Sequence, residues 1–566
     1  MKKTQLATAI VLATTAFSAY SAKYSVTPLP VTDLTDNSFA QSIDNSGAML
    51  TTVRNEFNPP IDIDRLDEMN FFDDNDNLQD ADAAQQGNFT TADYNFIVSY
   101  LYSEEQEGLR RQQRLAQFRS YKTDTVNANL VPGFDEIDER YNDYTRSVYT
   151  LARDSLNNDF VVGSTEGVYE TLKYENDDEQ QATYISTFLP DQAFVQVSGE
   201  TVRLPPVEEL LGGLADAYAV NANFQVAGFS SAGYNDSIQD AIDICVEQET
   251  VVPDEVCINR VRRAGGTGGF TANTHRRATV WQLDASGQTI STTAYPLIFE
   301  PEEGTLATYS SIARDINAQG VAVGQSHTGD TVDYTLPSSN PRRQRFLEYV
   351  ATTFADGEST EILSRENNLQ STAYAVNDNG WVVGTVLRAP NDIARELAFV
   401  YNLETMEERY IEGLFSSSET IPNAINNNNI VVGQVDTESS NDSLRQTHAF
   451  RYNIDTEEFV DLNDLVSCDN EYELIEAVDI NDNGAIIANA RVVKKVRNID
   501  GTDRLDSAGE LSTAASIVAV KLSPTPNGQI ETCGDEEDEG YEREGAATSP
   551  WWLLLLGGGL FFRRWK

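Results

Sequence analysis

One arrangement of apolar and polar positions recurs along this chain. Its twelve-residue frame reads small residue, two variable residues, apolar, Asn, two variable residues, Gly, three apolar residues, Gly. Residues 313–324 and 373–384 are full copies. Residues 217–228 and 477–488 keep the frame, with Asn221 and Asn481 at the same offset, and 424–433 keeps its centre around Asn426. Weaker copies run over 40–51 and 152–163. Asn and Gly tolerate positive φ, so Asn-Asp-Asn-Gly or Asn-Ala-Gln-Gly predicts a tight reversal between two extended segments. The Val-Val-Gly that follows predicts a short buried strand, and its closing Gly permits a bulge or a close backbone approach. A fragment of that size cannot bury its own two faces, so the copies must stack.

Further strands follow the frames. Residues 397–402 and 448–453 read as strands, as do 278–281 and 345–349, and a later short one is 458–462. Three or four strands per unit, with the last four frames starting about 50–60 residues apart, is close to the blade size of a β-propeller. The expected fold is therefore all-β, a propeller-like array of short antiparallel sheets with about six to seven repeats, spanning residues 23–523. Residues 24–26 and 515–522 both read as strands, and pairing them within one blade would close the ring and remove an exposed edge. The pattern breaks at about 55–146. There Thr90-Thr91-Ala92-Asp93 has the character of a capping box, and Tyr94, Ile97, Val98 and Leu101 fall on one helical face. Glu107, Arg110 and Arg111 extend that helix as a charged one. This is a helical insertion lying over the propeller.

The frame followed by His448-Ala449-Phe450 resembles the HAF-type repeats of exported bacterial proteins, and Leu210-Leu211-Gly212-Gly213 is similar to the glycine-rich lead-in of such repeats. From residue 24 to 522 the arrangement is similar to a family of exported proteobacterial proteins with no assigned activity. The resemblance implies a fold and carries no catalytic residues across.

Both chain ends read as sorting signals. Residues 1–22 have the build of a secretory signal peptide: Lys2 and Lys3, an apolar stretch from Leu6 to Phe17, then Ala19-Tyr20-Ser21 ahead of a cleavage site before or after Ala22. At the other end an acidic linker, 524–548, leads into an apolar segment, Trp551 to Phe562, and a basic end, Arg563-Arg564-Trp565-Lys566. The basic cluster would stay cytoplasmic while the body lies outside. Residues 549–566 are short and glycine-containing for a span, which favours a transient anchor over a permanent transmembrane segment. This tail resembles the GlyGly-CTERM class of sorting signals, which implies processing by a rhomboid-type protease and delivery to the cell surface or medium. Its glycines, Gly557-Gly558-Gly559, lie inside the apolar segment, and Thr548-Ser549-Pro550 stand in front of it.

Composition narrows the chemistry. Eighty-nine acidic residues against 40 basic ones give a formal charge of −49, which repels phosphate backbones and excludes nucleic acid as the natural partner. Three histidines and four cysteines leave little for metal or nucleophile chemistry. Four cysteines allow three connectivities, of which proximity favours Cys245–Cys257 over pairings with Cys468 or Cys533, and an oxidising compartment suits disulfides. The stretch from Asp73 to Asp80 invites a calcium reading, but an EF-hand begun at Asp73 has Leu78 and Ala84 where Gly and Glu are required. Calcium thus remains a weak alternative there, and no other cofactor is expected. Arg260, Arg262 and Arg263, a Gly-rich turn at 265–269, and His275-Arg276-Arg277 form a basic patch able to hold a carboxylate or sulfate. No Gly-x-Ser-x-Gly or His-Glu-x-x-His occurs, and His275, His327 and His448 are far apart in sequence. No catalytic, cofactor-binding or metal residue is assigned. The expected function is a secreted or surface-displayed binding or scaffold module of the bacterial envelope, without catalysis. Its partners would be the export machinery, a rhomboid-type protease and an extracellular glycan or protein. Two alternatives are a propeller hydrolase acting on polysaccharide or protein, for which a carboxylate pair with raised pKa in the funnel would speak, and a calcium-stabilised structural envelope protein.

Overall fold

A computed structural model describes residues 23–531, apart from 74, 104–112, 176–180, 188–190, 248–252, 264–268, 303–304, 306, 338–341, 390–392 and 439–444. The N-terminal signal segment, the C-terminal tail, Cys533, the charged helix extension at 107–111 and most of the Gly-rich turn lie outside the described residues. The frames become the innermost hairpins of a seven-bladed β-propeller, seven antiparallel sheets of four strands each. The innermost strands are Asn37–Ile43, Thr150–Leu156, Ala215–Val220, Ser311–Ile316, Gln370–Val376, Thr420–Ile425 and Glu473–Ile480, which define blades 1 to 7. Blade 7 takes its outermost strand from the N-terminus: Tyr24–Pro28 pairs with Thr513–Pro524, Tyr24 opposite Pro524 and Pro28 opposite Val520. The ring is thus closed by hydrogen bonds between chain ends.

Strand periodicity explains why no blade is stable alone. Side chains alternate between faces along a strand, so consecutive residues of the apolar run enter different interfaces. Val382 packs between blades 4 and 5, and Val383 between blades 5 and 6. Val431 joins Val383, whereas Val432 packs between blades 6 and 7. Ile486 and Ile487, and Val161 and Val162, divide in the same way. Each fully buried valine contributes about 1.5–3 kcal/mol, and it does so only when the neighbouring blade is present.

The two halves of the repeat meet across the sheet. Gly384 lies opposite Phe399, and Gly433 opposite Phe450. A Cβ on Gly384 would stand 2.0 Å from the Thr372 carbonyl oxygen and 2.8 Å from the Phe399 ring; on Gly433 the distances are 2.0 Å to Ile421 O and 2.9 Å to Phe450. The closing glycine therefore makes room for a bulged neighbour strand and for the aromatic ring of the Leu-Ala-Phe or His-Ala-Phe strand. The bulge is present in all seven innermost strands.

Insertions are confined to one face. The frame hairpins occupy one end of the ring; the links between second and third strands lie at the other, and these carry the additions. In blade 1 the link holds α1 (Ile63–Glu68), α2 (Ala81–Gln85) and α3 (Thr91–Ser103), so the span around 55–146 also contains that blade's outer strands, Phe118–Thr123 and Ala128–Val131. Thr90 caps α3 as its sequence suggests: Asp93 N–H donates to Thr90 Oγ1 (3.1 Å), and Thr90 Oγ1 donates to the Asp93 carboxylate (2.8 Å). Ile97, Val98 and Leu101 are buried with Leu66, Phe72 and Leu115. Blade 2 carries a strand pair, Tyr169–Glu175 with Gln181–Thr187. Blade 3 carries α4 (Asp236–Glu247) and α5 (Asp254–Arg263), joined by a Cys245–Cys257 disulfide. Cys468 is also disulfide-bonded. No helix among the described residues is long and apolar enough to cross a membrane.

Candidate functional site

The seven innermost strands surround a channel of ≈ 470 Å³. At its hairpin end the frame asparagine has a role that positive φ does not describe. Asn221, Asn317, Asn377, Asn426 and Asn481 are absent from the positive-φ residues, and the left-handed turn position falls to Gly320, Gly380, Gly484, Phe224 and Asn429. The asparagine side chain instead builds the turn and ties it to the next blade. Asn377 Oδ1 accepts from Asn379 and Trp381 N–H at 3.1 and 2.9 Å, while its Nδ2 donates to the Asn426 carbonyl at 3.0 Å. The same donation runs from Asn221 to Asn317, Asn317 to Asn377, Asn426 to Asn481 and Asn481 to Asp44. Asp44 replaces Asn in blade 1 and accepts from Asn158 N–H at 2.7 Å. Blade 2 has Leu156 at this position, and the link to blade 3 comes from Asp154, which accepts Val220 N–H at 2.8 Å. A side chain of every blade thus bonds the backbone of the next.

Asp154 belongs to a set of three. Asp315 accepts Val376 N–H and Asp479 accepts Ile43 N–H, each at 2.7 Å and each across a blade boundary. All three also accept the N–H of the following residue at 2.7 Å. They touch the channel only in part. Desolvation deep in the ring raises Asp315 and Asp479 to about 6 and puts Asp154 well above the usual range, with repulsion from Asp378 adding to Asp315 and repulsion from Asp315 adding to the other two. Their partners are backbone amides at blade joints, so the set is structural.

The inner mouth of this cavity, at the bulge layer midway along the innermost strands, has a different lining. The bulge turns one residue of each innermost strand toward the channel: Gln41, Arg153, Tyr218, Arg314, Tyr374, Asn423 and Val478. Four of them alternate across blades 2 to 5. The Arg153 guanidinium lies 4.8 Å from the Tyr218 ring centroid, and Arg314 lies 5.8 Å from Tyr218 and 5.3 Å from Tyr374. Each contact contributes about 0.5–2 kcal/mol. Arg153 pairs with Asp216 at 2.9 Å. Beyond Arg314 stands Glu396, whose N–H donates to Glu419 Oε1 at 3.3 Å. Burial, then repulsion from Glu419, raises Glu396 to about 7, opposed by Arg314. On the other side Asp191 is raised to about 6 by burial, with Glu166 and Asp216 adding to it.

The residues singled out from sequence are elsewhere. In the Asp73–Asp80 loop, Asp80 caps α2 through Ala83 N–H (3.0 Å), and no group of three His, Cys, Asp or Glu able to hold a metal occurs among the described residues. The basic patch divides: Arg260, Arg262 and Arg263 ride on α5, whereas Arg276 lies over Phe229 at 5.2 Å and Arg277 donates to the Tyr309 carbonyl at 3.0 Å. The histidines stay apart. His327 accepts Ser310 N–H at 2.8 Å and is lowered to about 4 by burial. His448 contacts Asp461 at 2.5 Å, and that hydrogen bond raises its pKa. Sequence reasoning missed the Arg–Tyr set because it occupies a variable position of the frame. The signal was there: Arg, Tyr, Arg, Tyr stand at that position in four consecutive copies.

The chain belongs to the family described as a protein of unknown function, DUF3466, which it matches over residues 1–565. Among curated proteins, none matches. Several solved structures are similar at low identity. TolB from Acinetobacter baumannii is 8% identical, with 66% of this chain and 65% of that one covered and a TM-score of 0.28. A puromycin-hydrolyzing peptidase from Mycobacterium tuberculosis is 9% identical, with 84% and 62% covered and a TM-score of 0.28. An acylaminoacyl peptidase from Pyrococcus horikoshii is 11% identical, with 61% and 49% covered and a TM-score of 0.27. The chain thus spans between about half and two thirds of their lengths.

Proposed function

We propose that this chain is an exported binding module of the bacterial envelope whose ligand site is the ring channel, with the bulge-layer side chains at its inner mouth. The carrying observation is the Arg153–Tyr218–Arg314–Tyr374 set, four side chains from four blades converging on a water-accessible cavity that blade architecture alone does not require. The frame asparagines at the hairpin end are engaged in blade-to-blade bonds, which leaves the bulge-layer side chains for recognition. Export is supported by the signal-like residues 1–22, by the GlyGly-CTERM-like tail with its rhomboid-type processing, by the HAF-like repeats and by the Cys245–Cys257 disulfide, a bond at home in oxidising compartments. The test is calorimetric titration of the mature protein with a panel of neutral, amino and acidic oligosaccharides and short peptides, beside a Tyr218→Ala/Tyr374→Ala variant. A ligand that binds the wild type and is weakened at least ten-fold in the variant supports the site; equal binding to both places recognition elsewhere.

Glu396 favours a second reading, a hydrolase. Held near neutrality beside Glu419, it has the protonation state of a general acid. Turnover of a panel member by wild type, abolished in Glu396→Gln with binding retained, would establish catalysis; binding without turnover leaves the binding module.

A further inference from the structure

The two mouth arginines stand at the same position of their blades, each against the tyrosine of the next one, and differ in their acidic partners. Arg153 follows Ala152 of blade 2, faces Tyr218 of blade 3 and pairs with Asp216, two residues before that tyrosine, at 2.9 Å. Arg314 follows Ala313 of blade 4 and faces Tyr374 of blade 5 at 5.3 Å. Two residues before Tyr374 stands Thr372, a buried residue whose hydroxyl donates to Gln325 at 2.9 Å. Among the described residues no carboxylate pairs with the second arginine within 4 Å, and Glu396 acts on it only through its field. Among the described residues Arg314 makes no hydrogen bond and no ion pair within 4 Å, and its Nε is buried without a partner. In a chain of formal charge −49, such a cation stands out. A guanidinium held between two aromatic faces keeps its planar N–H fork free for a bidentate acceptor.

We propose that Arg314 anchors the carboxylate of an acidic saccharide, a uronic-acid residue, in the part that Asp216 plays for Arg153. This rests on the channel mouth being the binding site. A saccharide fits the remaining lining. Gln41, Ser42, Asn423 and the tyrosines offer donors and acceptors for hydroxyl groups, and Val478 is the one apolar side chain at the bulge position. The cavity, ≈ 470 Å³, lies within the range of about 300–1,000 Å³ usual for small-ligand sites.

The experiment is calorimetric titration of the mature protein with trigalacturonate, its methyl ester, and tetra-alanine with a free or amidated C-terminus. Trigalacturonate should bind at least ten-fold more tightly than its ester and than either peptide. Arg314→Gln should lose at least ten-fold of that affinity. Thr372→Asp, which restores the Asp216-type carboxylate beside Arg314, should lose it likewise while the melting temperature is held or raised, so that loss of fold and loss of anchor are separated. Equal affinity for acid and ester, no binding of trigalacturonate, undiminished binding to Arg314→Gln, or preference for the free-acid peptide overturns the proposal. If a neutral oligosaccharide of the wider panel binds and is lost in Tyr218→Ala/Tyr374→Ala, the carboxylate anchor fails and the mouth stands. If no probe depends on the mouth, both fail.

Discussion

Asn377 shows how much one side chain of the frame carries. Its oxygen closes its own hairpin and its nitrogen holds the next one, so truncation strands two backbone N–H groups and a carbonyl at a buried joint. Asn377→Ala should lower stability by about 2–3 kcal/mol, read by chemical denaturation; a loss below about 0.5 kcal/mol, the size of an ordinary surface change, would contradict this role. Asp315 gives a pH-dependent counterpart. Its folded pKa, about 6, lies above that of an unfolded Asp, so its contribution is fully present below about pH 4 and is lost as pH rises through 6. Asp315→Asn should therefore gain on the wild type between pH 4 and 7, by about 1–3 kcal/mol. The slope of the difference carries the test, because the variant also loses one of two amide bonds and so has a constant offset. A flat difference would mean the carboxylate is solvated as in water. At this scale the sequence showed which residues recur and left open what they do: Asn was legible as a turn residue, its bond to the next blade was not, because that partner is about 50 residues away or more. The mouth residues were hidden for the opposite reason. They vary from copy to copy, and variation within a repeat is where a fold can place recognition without disturbing its joints.

Among the elements, the N-terminal strand has the largest expected effect. Tyr24–Pro28 completes blade 7, and Tyr24 belongs to the core between blades 6 and 7. Deleting residues 24–28 exposes the edge of Thr513–Pro524 and opens the ring, so the melting temperature should fall by about 10 °C or more. An unchanged value would show that the ring does not depend on its closing strand. This strand was legible as a β segment with a partner near the chain's far end, since a propeller must hide its last edge. Helix α3 was legible too, from Thr90 and Asp93 and the spacing of Ile97, Val98 and Leu101, because capping and helical periodicity are local. Its place inside blade 1 was not, because Phe118–Thr123 and Ala128–Val131 carry no frame and only their pairing reveals them as outer strands.

For the whole molecule, the ring and its lining point in one direction. Seven blades bonded joint to joint make a rigid collar around a layer of cations and tyrosines that the collar itself does not need. The fold class could be read from periodicity; the mouth could not, since it is assembled from residues that are hundreds of positions apart. The claim that joins sequence ends, disulfide and mouth is that this is a protein of the cell exterior. Cell fractionation with intact mass spectrometry of the native chain tests it most directly. The expected species lacks residues 1–21 or 1–22 and the segment from about Ser549 onward, carries the Cys245–Cys257 disulfide oxidised, and is found with the outer membrane or in the medium. A full-length chain with free thiols in the cytoplasm would contradict the account, and its ligand would then have to be sought inside the cell.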